Sequence, residues 1–255
     1  MTLSSAIFLF FAGVLGGVLN AVAGGGTFAV FPALIFTGVP PIPANATNTV
    51  SLWLGTAAST RAYRHHLNIS RRVLVPLLIT GTLGSVAGAI LLVRTPAHTF
   101  VHAVPWLMLL ATVLFAIGGR LGGFINASVA HDASNSTIAM VTMVEAIVAV
   151  YGGYFGGGIG IMNLALMAAM GMTDIHAMNA LKVILVAVIN GTAMVTFIVT
   201  RTVFWPQTLV ITVGALLGGY YGAHYSQRLP QSWIRMFVIG TGLAMTGYFF
   251  AKAYL

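Results

Sequence analysis

Residues 21–36 read AVAGGGTFAVFPALIF, with three consecutive glycines between two apolar runs. Residues 153–169 read GYFGGGIGIMNLALMAA and repeat this arrangement 132 positions later. Three glycines in a row interrupt a helix, because glycine loses the most conformational freedom when it is ordered. Each stretch therefore predicts a long helix, a break and a short helix. The short helices, 27–37 and 159–170, fall well below the roughly 20 residues that cross a bilayer.

The composition of the whole chain indicates a membrane protein. Of its 255 residues, 58% are hydrophobic and 5% are charged, whereas a soluble domain carries about 25% charged residues. The apolar segments are 4–22, 27–37, 46–63, 73–93, 101–119, 137–155, 159–170, 177–199, 206–225 and 233–252. We predict an all-α polytopic membrane protein with about eight full crossings and two short broken helices.

Further landmarks recur in the same order and indicate an internal duplication. The segment Asn45-Ala46-Thr47-Asn48 aligns with Asn179-Ala180-Leu181-Lys182 at an offset of 134, and Pro96 aligns with Pro230 at the same offset. We predict a first transmembrane repeat at 1–125 and a second at 137–255, within one integral membrane domain. Inverted repeats are common in secondary transporters and place a shared site near the midplane. We therefore expect inversion, with parallel repeats as the alternative.

The charges argue against several classes of function. The formal net charge is +8, but the basic residues cluster beside spans, chiefly in the segment 61–72, which is typical of a cytoplasmic loop rather than a nucleic-acid surface. The chain contains no cysteine. It also shows no metal-ligand spacing, hydrolase triad or nucleotide-binding loop. We accordingly predict neither an enzyme nor a bound metal or cofactor.

The two breaks predict an anion site. A short helix that begins inside the protein presents unpaired N–H groups and a positive dipole end, which favour an anion. Asparagine and lysine side chains would add hydrogen-bond donors and one positive charge. The predicted substrate-binding residues are Gly25, Gly26, Thr27, Asn45, Asn48, Gly157, Gly158, Asn179 and Lys182. Two structural alternatives remain, since Asn45 and Asn179 could cap helices and Lys182 could extend to the membrane interface.

Glu145 is the second charge inside an apolar span, in Met140–Val150. A charge at membrane depth costs about 2.5 kcal/mol or more and usually faces a cavity or a partner. We take Glu145 as a candidate for proton coupling. A protonated carboxyl group that bonds between helices, or a pair with Lys182, are the alternatives.

The helix that leads into Ala23-Gly24-Gly25-Gly26, the short helix with Pro32, and the repeated Asn45 and Asn179 segments together resemble the sulfite exporter TauE/SafE family. The resemblance covers nearly the whole chain. It implies a multi-pass protein of the cytoplasmic membrane that moves sulfite, sulfoacetate or a related organosulfur anion. A channel for small solutes or a membrane subunit of a larger complex are the alternatives, and homo-oligomer formation is left open.

Overall fold

The computed structural model describes residues 1–63, 69–118, 135–169, 172, 175–225 and 231–254. Ten α-helices and no strands lie in these residues. The helices are α1 (Leu3–Ala23), α2 (Thr27–Phe36), α3 (Pro41–Tyr63), α4 (Arg71–Arg94), α5 (Ala97–Gly118), α6 (Asn135–Tyr154), α7 (Ile159–Ala169), α8 (Ile175–Val199), α9 (Trp205–Tyr225) and α10 (Gln231–Tyr254). Each predicted apolar segment corresponds to one helix.

The helix lengths confirm the predicted fold class. Helices α2 and α7 contain 10 and 11 residues, and the others contain between 20 and 25. A helix of 20 residues is about 30 Å long, which matches the hydrocarbon core of a bilayer. Within the described residues, five helices are both long and apolar enough to cross a membrane, namely α1, α4, α5, α6 and α8. The chain is a multi-pass helical membrane protein.

Glycines with left-handed backbone form both breaks, as predicted. Gly24 (φ 72°) ends α1, where its N–H donates to the Asn20 carbonyl. In the second break, Gly156 and Gly158 have φ 75° and 76°. A side chain is strained in this region of backbone conformation, whereas glycine is not.

Two predicted helix starts are wrong. Helices α3 and α8 begin at Pro41 and Ile175, so Asn45 and Asn179 lie one turn inside and do not cap them. Proline suits the first turn of α3 because its fixed φ is helical and its missing N–H would have no helical partner.

Glycines allow two pairs of helices to pack in backbone contact. Helix α1 packs along α9, where a Cβ added at Gly218 would lie 1.9 Å from the Val14 carbonyl oxygen. Helix α4 packs along α6, where a Cβ at Gly88 would lie 2.1 Å from the Val150 carbonyl oxygen. Close packing of this kind is typical of helices in membranes, which associate through small residues.

The glycine contacts also fix the relative directions of these helices. On the first interface, Gly13 faces Ile211 and Gly17 faces Ala215. The facing residue numbers rise together, so α1 and α9 run in the same direction. Gly84 and Gly88 face residues 146 and 150 in the same manner, so α4 and α6 also run in the same direction.

The contacts between helices follow a regular pairing. If α1 to α5 are matched in order with α6 to α10, the contact of α1 with α9 corresponds to that of α6 with α4. The contacts of α3 with α9 and of α2 with α10 likewise correspond to those of α8 with α4 and of α7 with α5. Helices α3 and α8, which are matched with each other, pack together in the middle of this arrangement.

Candidate functional site

The first break places a polar pair at the start of α2. Thr27, the first residue of this helix, is 8% exposed. Its hydroxyl oxygen accepts a hydrogen bond of 3.2 Å from the Asn48 amide nitrogen on α3. The N–H groups of Gly26 and Thr27 make no hydrogen bond within the part of the chain that the structure describes. The predicted residues Gly26, Thr27 and Asn48 are therefore adjacent and buried.

The second break places Lys182 at the start of α7. The Lys182 Cδ atom lies 3.7 Å from the position that a Cβ would occupy on Gly160. Its Nζ donates a hydrogen bond of 2.9 Å to the Asn179 side-chain oxygen. Among the described residues, nothing accepts a hydrogen bond from the N–H groups of Gly157 and Gly158. Lys182 is half-buried, with its stem against the first turn of α7 rather than extended along the outside of the bundle.

Asn45 connects the first repeat to the second break. Its amide nitrogen donates a hydrogen bond of 3.0 Å to the carbonyl of Tyr154, the last residue of α6. Nearby, the rings of Phe31 and Phe155 lie 5.7 Å apart in an edge-to-face arrangement. Helix α3 thus contacts both breaks, through Asn48 at the first and Asn45 at the second.

Several buried acceptors around the breaks lack a donor. The side-chain oxygens of Asn45 and Asn48 have no hydrogen-bond partner, although both residues are only 1% exposed. The Thr27 hydroxyl can donate as well as accept a hydrogen bond. If the Asn48 amide is rotated by 180°, its oxygen accepts from Thr27 and its NH₂ group points away from Thr27. Buried polar groups are almost always paired in proteins, by protein or by bound molecules. Within the described part of the chain, the protein itself leaves these two side-chain oxygens without a donor.

Glu145 lies apart from Lys182. It is 0% exposed, and both of its carboxylate oxygens lack a hydrogen-bond partner. Its Oε1 atom is 3.8 Å from the Cβ position of Gly81 on α4, beside Ile189 of α8. The Glu145–Lys182 pair and the interhelical hydrogen bond that the sequence left open are both absent between these described residues.

The structure brings the predicted residues into two groups, one at each break. No hydrogen bond joins Asn48 to Asn179 or Lys182. Two clefts of about 600 and 370 Å³ lie on the outside of the bundle, and no predicted site residue lines either of them. Asn45, Asn48 and Thr27 are buried, whereas Lys182 is half-buried.

Sequence reasoning missed two contacts that hold the breaks in place. The Tyr151 hydroxyl donates to the Gly157 carbonyl at 2.8 Å, which ties the end of α6 to the second break. The Trp53 indole N–H donates to the Ala187 carbonyl at 2.9 Å, across the α3–α8 contact. Residues 53 and 187 are 134 apart, so they are equivalent positions of the proposed duplication. The offset identifies the two positions as equivalent, but it carries no signal that they are in contact.

Comparison with known proteins agrees with this architecture. The model of the family described as sulfite exporter TauE/SafE matches residues 9–249. A probable membrane transporter protein of Haemophilus influenzae is 27% identical over 93% of this chain and 91% of its own length. The probable membrane transporter protein ORF9 of a Sinorhizobium species is 24% identical over 93% and 89%, respectively.

The probable membrane transporter protein YfcA of Escherichia coli is 26% identical over 93% of this chain and 87% of its own length. No solved structure gives a significant match. The family match spans nearly the whole chain, including both glycine breaks and the helices that surround them. This chain therefore belongs to the sulfite exporter TauE/SafE family of membrane transporters.

Proposed function

We propose that this protein is a secondary transporter that carries sulfite, sulfoacetate or a related organosulfur oxyanion across the cytoplasmic membrane. One observation carries the proposal. At each break, the start of a short buried helix is accompanied by a donor side chain from the equivalent position of the next helix, Asn48 at α2 and Lys182 at α7. Helix N-termini, amides and one ammonium group together suit a small oxyanion.

The proposal includes two inverted repeats, and the direction of α9 supports this. The backbone N–H of Phe204 donates to the Thr47 hydroxyl, and the Thr212 hydroxyl donates to the Ser51 carbonyl. Residue 47 thus pairs with 204 and residue 51 with 212. Because the residue numbers rise together along the two helices, α3 and α9 run in the same direction.

Helix α4, the counterpart of α9, runs in the opposite direction to α3. Only residues 64–70 connect α3 to α4. Fully extended, they reach at most about 29 Å, at 3.6 Å per residue. This is too short to recross a hydrocarbon core of about 30 Å, so α4 starts on the side where α3 ends. Helices α4 and α9 are then antiparallel, and the helix starts of both breaks approach the midplane from opposite sides.

The proposed role of Lys182 is to neutralise the anion. Its ammonium group donates one hydrogen bond to Asn179, and two further N–H donors remain for the substrate. A hydrogen bond to a charged group contributes about 1.5 to 3 kcal/mol. We expect Lys182→Ala to weaken sulfite binding by about 10- to 150-fold.

Uptake of radiolabelled sulfite into liposomes that contain the purified protein tests this function. A carrier gives saturable uptake and exchange with unlabelled sulfite, whereas a channel gives uptake that rises linearly with concentration. Lys252→Ala is the matched control, because it removes a lysine that is exposed at the end of α10. Unchanged half-saturation in Lys182→Ala would remove this residue from the site. The absence of uptake of both sulfite and sulfoacetate would contradict the proposed function.

We further propose that transport is coupled to protons through Glu145. A carboxyl group that is fully buried and without a partner in the described residues can exchange a proton as helices α4, α6 and α8 rearrange around it. The same liposomes, prepared with and without a pH gradient, measure this coupling. Equal uptake under both conditions would contradict the coupling while leaving sulfite transport intact.

A further inference from the structure

The interface between α4 and α6 opens outward into a cleft of about 600 Å³. Arg72, Pro76 and Thr80 line it on the α4 side, and Asn135, Thr142 and Ala146 line it on the α6 side. These residues follow each other along two parallel helices, so the cleft extends from the helix starts towards the membrane interior. It lies on the outer surface of the bundle, where lipid is the surrounding medium.

The inner walls of the cleft offer no free hydroxyl group. The Thr80 hydroxyl donates to the Pro76 carbonyl at 2.9 Å, and the Thr142 hydroxyl donates to the Ile138 carbonyl at 2.6 Å. Both hydroxyl hydrogens are therefore used within the helices, and the rest of the wall, which includes Ile138 and Met143, is mostly apolar. Such walls suit a hydrocarbon chain rather than a polar solute.

The outer end of the cleft carries positive charge and hydrogen-bond donors. The Arg72 guanidinium donates a hydrogen bond to the Asn135 side-chain oxygen, which leaves further N–H donors of its five for a ligand. Arg71 is exposed beside it. Both α4 and α6 begin here, and neither carries an acidic residue in its first turn. The positive dipole ends of α4 and α6 and the two arginine side chains therefore all favour a negative charge at this end of the cleft.

The location of this end agrees with the charge distribution in the membrane. Arg71 and Arg72 belong to the basic segment 61–72, which is typical of the cytoplasmic side. The cytoplasmic leaflet carries the anionic lipids, and basic pockets between helices on that side bind their headgroups. The cleft is polar at the membrane surface and apolar below it. It therefore matches a phospholipid in both charge and orientation.

We propose that this cleft binds an anionic phospholipid of the cytoplasmic leaflet. Its phosphate lies against Arg72 and the starts of α4 and α6, and one acyl chain occupies the groove down to Thr80 and Ala146. Because α4 belongs to the first repeat and α6 to the second, the bound lipid bridges the two halves and stabilises their contact.

Thermal unfolding of delipidated protein in detergent tests this proposal. Addition of phosphatidylglycerol is expected to raise the midpoint by several degrees more than addition of phosphatidylcholine, with half-saturation at a lower lipid concentration. Arg72→Gln is expected to weaken phosphatidylglycerol binding about fivefold, the effect of one basic residue near a membrane surface. Arg94→Gln is the matched control, because it removes the same charge from the opposite end of α4.

A second variant separates the groove from the charge. Ala139 is exposed at the cleft, so Ala139→Phe fills the groove from the lipid side without a change of charge. It is expected to reduce binding while it leaves the unfolding midpoint of the lipid-free protein unchanged. Equal stabilisation by the two lipids, full binding in Arg72→Gln, or full binding in Ala139→Phe would each overturn the proposal. Stabilisation by inorganic phosphate alone would also overturn it and indicate a free-anion site.

Discussion

Gly218→Ala tests whether helices α1 and α9 are in backbone contact. An added Cβ would lie 1.9 Å from the Val14 carbonyl oxygen and 2.7 Å from its carbon. Ordinary contacts of a Cβ begin near 3.4 Å, so the helices must separate by about 1.5 Å at this point. Overpacking of a tight interface costs about 1 to 3 kcal/mol. At about 2 to 4 °C per kcal/mol for a chain of this size, the unfolding midpoint is expected to fall by roughly 2 to 12 °C.

Thermal unfolding in a mild detergent measures this shift, and Gly247→Ala provides the control. Gly247 lies inside α10, and a Cβ there would meet nothing within 4 Å. Replacing a glycine by alanine in an open helical position favours the helix by up to about 1 kcal/mol. The control is therefore expected to unfold at the same temperature as the wild type or slightly higher. If Gly218→Ala behaved like Gly247→Ala, the deduced contact between α1 and α9 would be incorrect.

Two further substitutions examine the centre of the protein. Trp53→Phe removes the hydrogen bond to the Ala187 carbonyl between α3 and α8. We expect the free energy of unfolding, measured by denaturation, to fall by about 1 kcal/mol. An unchanged stability would mean that this bond does not hold the halves together. Glu145→Gln keeps the size of the side chain, but glutamine cannot exchange a proton. We therefore expect a folded protein whose uptake of sulfite is insensitive to a pH gradient. A retained response to the gradient would exclude Glu145 as the coupling group.

The sequence predicted the features that depend on backbone chemistry. The glycine triplets gave the positions of both breaks, because few other residues adopt the left-handed conformation seen at Gly24, Gly156 and Gly158. The apolar runs gave the helices, because no other structure satisfies every backbone group across a single span in lipid. The predicted starts of α3 and α8 are wrong, because the two asparagines that resemble caps lie one turn inside their helices. Asn45 donates to Tyr154 of α6, and Asn179 accepts from Lys182 within α8.

The features that depend on packing between distant segments were not predictable. Nothing in the local sequence says that Asn45 bonds Tyr154 or that Glu145 lies beside Gly81. These contacts arise where the halves meet, and they depend on how closely the helices approach. The duplicated offset indicates only which positions are equivalent. It places Trp53 and Ala187 in register, but the hydrogen bond between them requires the crossing of α3 and α8.

The two halves differ at Gly160, which packs against the stem of Lys182. With the offset of 132 that relates the triplets, the counterpart of Gly160 in the first repeat is Phe28, a fully buried residue. The glycine leaves space beside α7 for the lysine stem. Lys182 uses that space, and Asn48, at the equivalent position of the first repeat, lies against Thr27. The positive charge of the proposed site depends on a missing side chain in α7 as well as on the lysine itself.

This reasoning predicts that Gly160→Leu disables the site although Lys182 is still present. A Cβ at Gly160 lies 3.7 Å from the Lys182 Cδ atom, an ordinary contact, so Gly160→Ala is expected to transport sulfite normally. Leucine adds carbons beyond that Cβ and displaces the ammonium group, so half-saturation is expected to rise as in Lys182→Ala, by about 10- to 150-fold. Sulfite uptake by both variants, with thermal unfolding to verify folding, measures the effect. Because the charge is unchanged, normal half-saturation in a folded Gly160→Leu protein would show that the position of Lys182 over α7 has no part in anion binding.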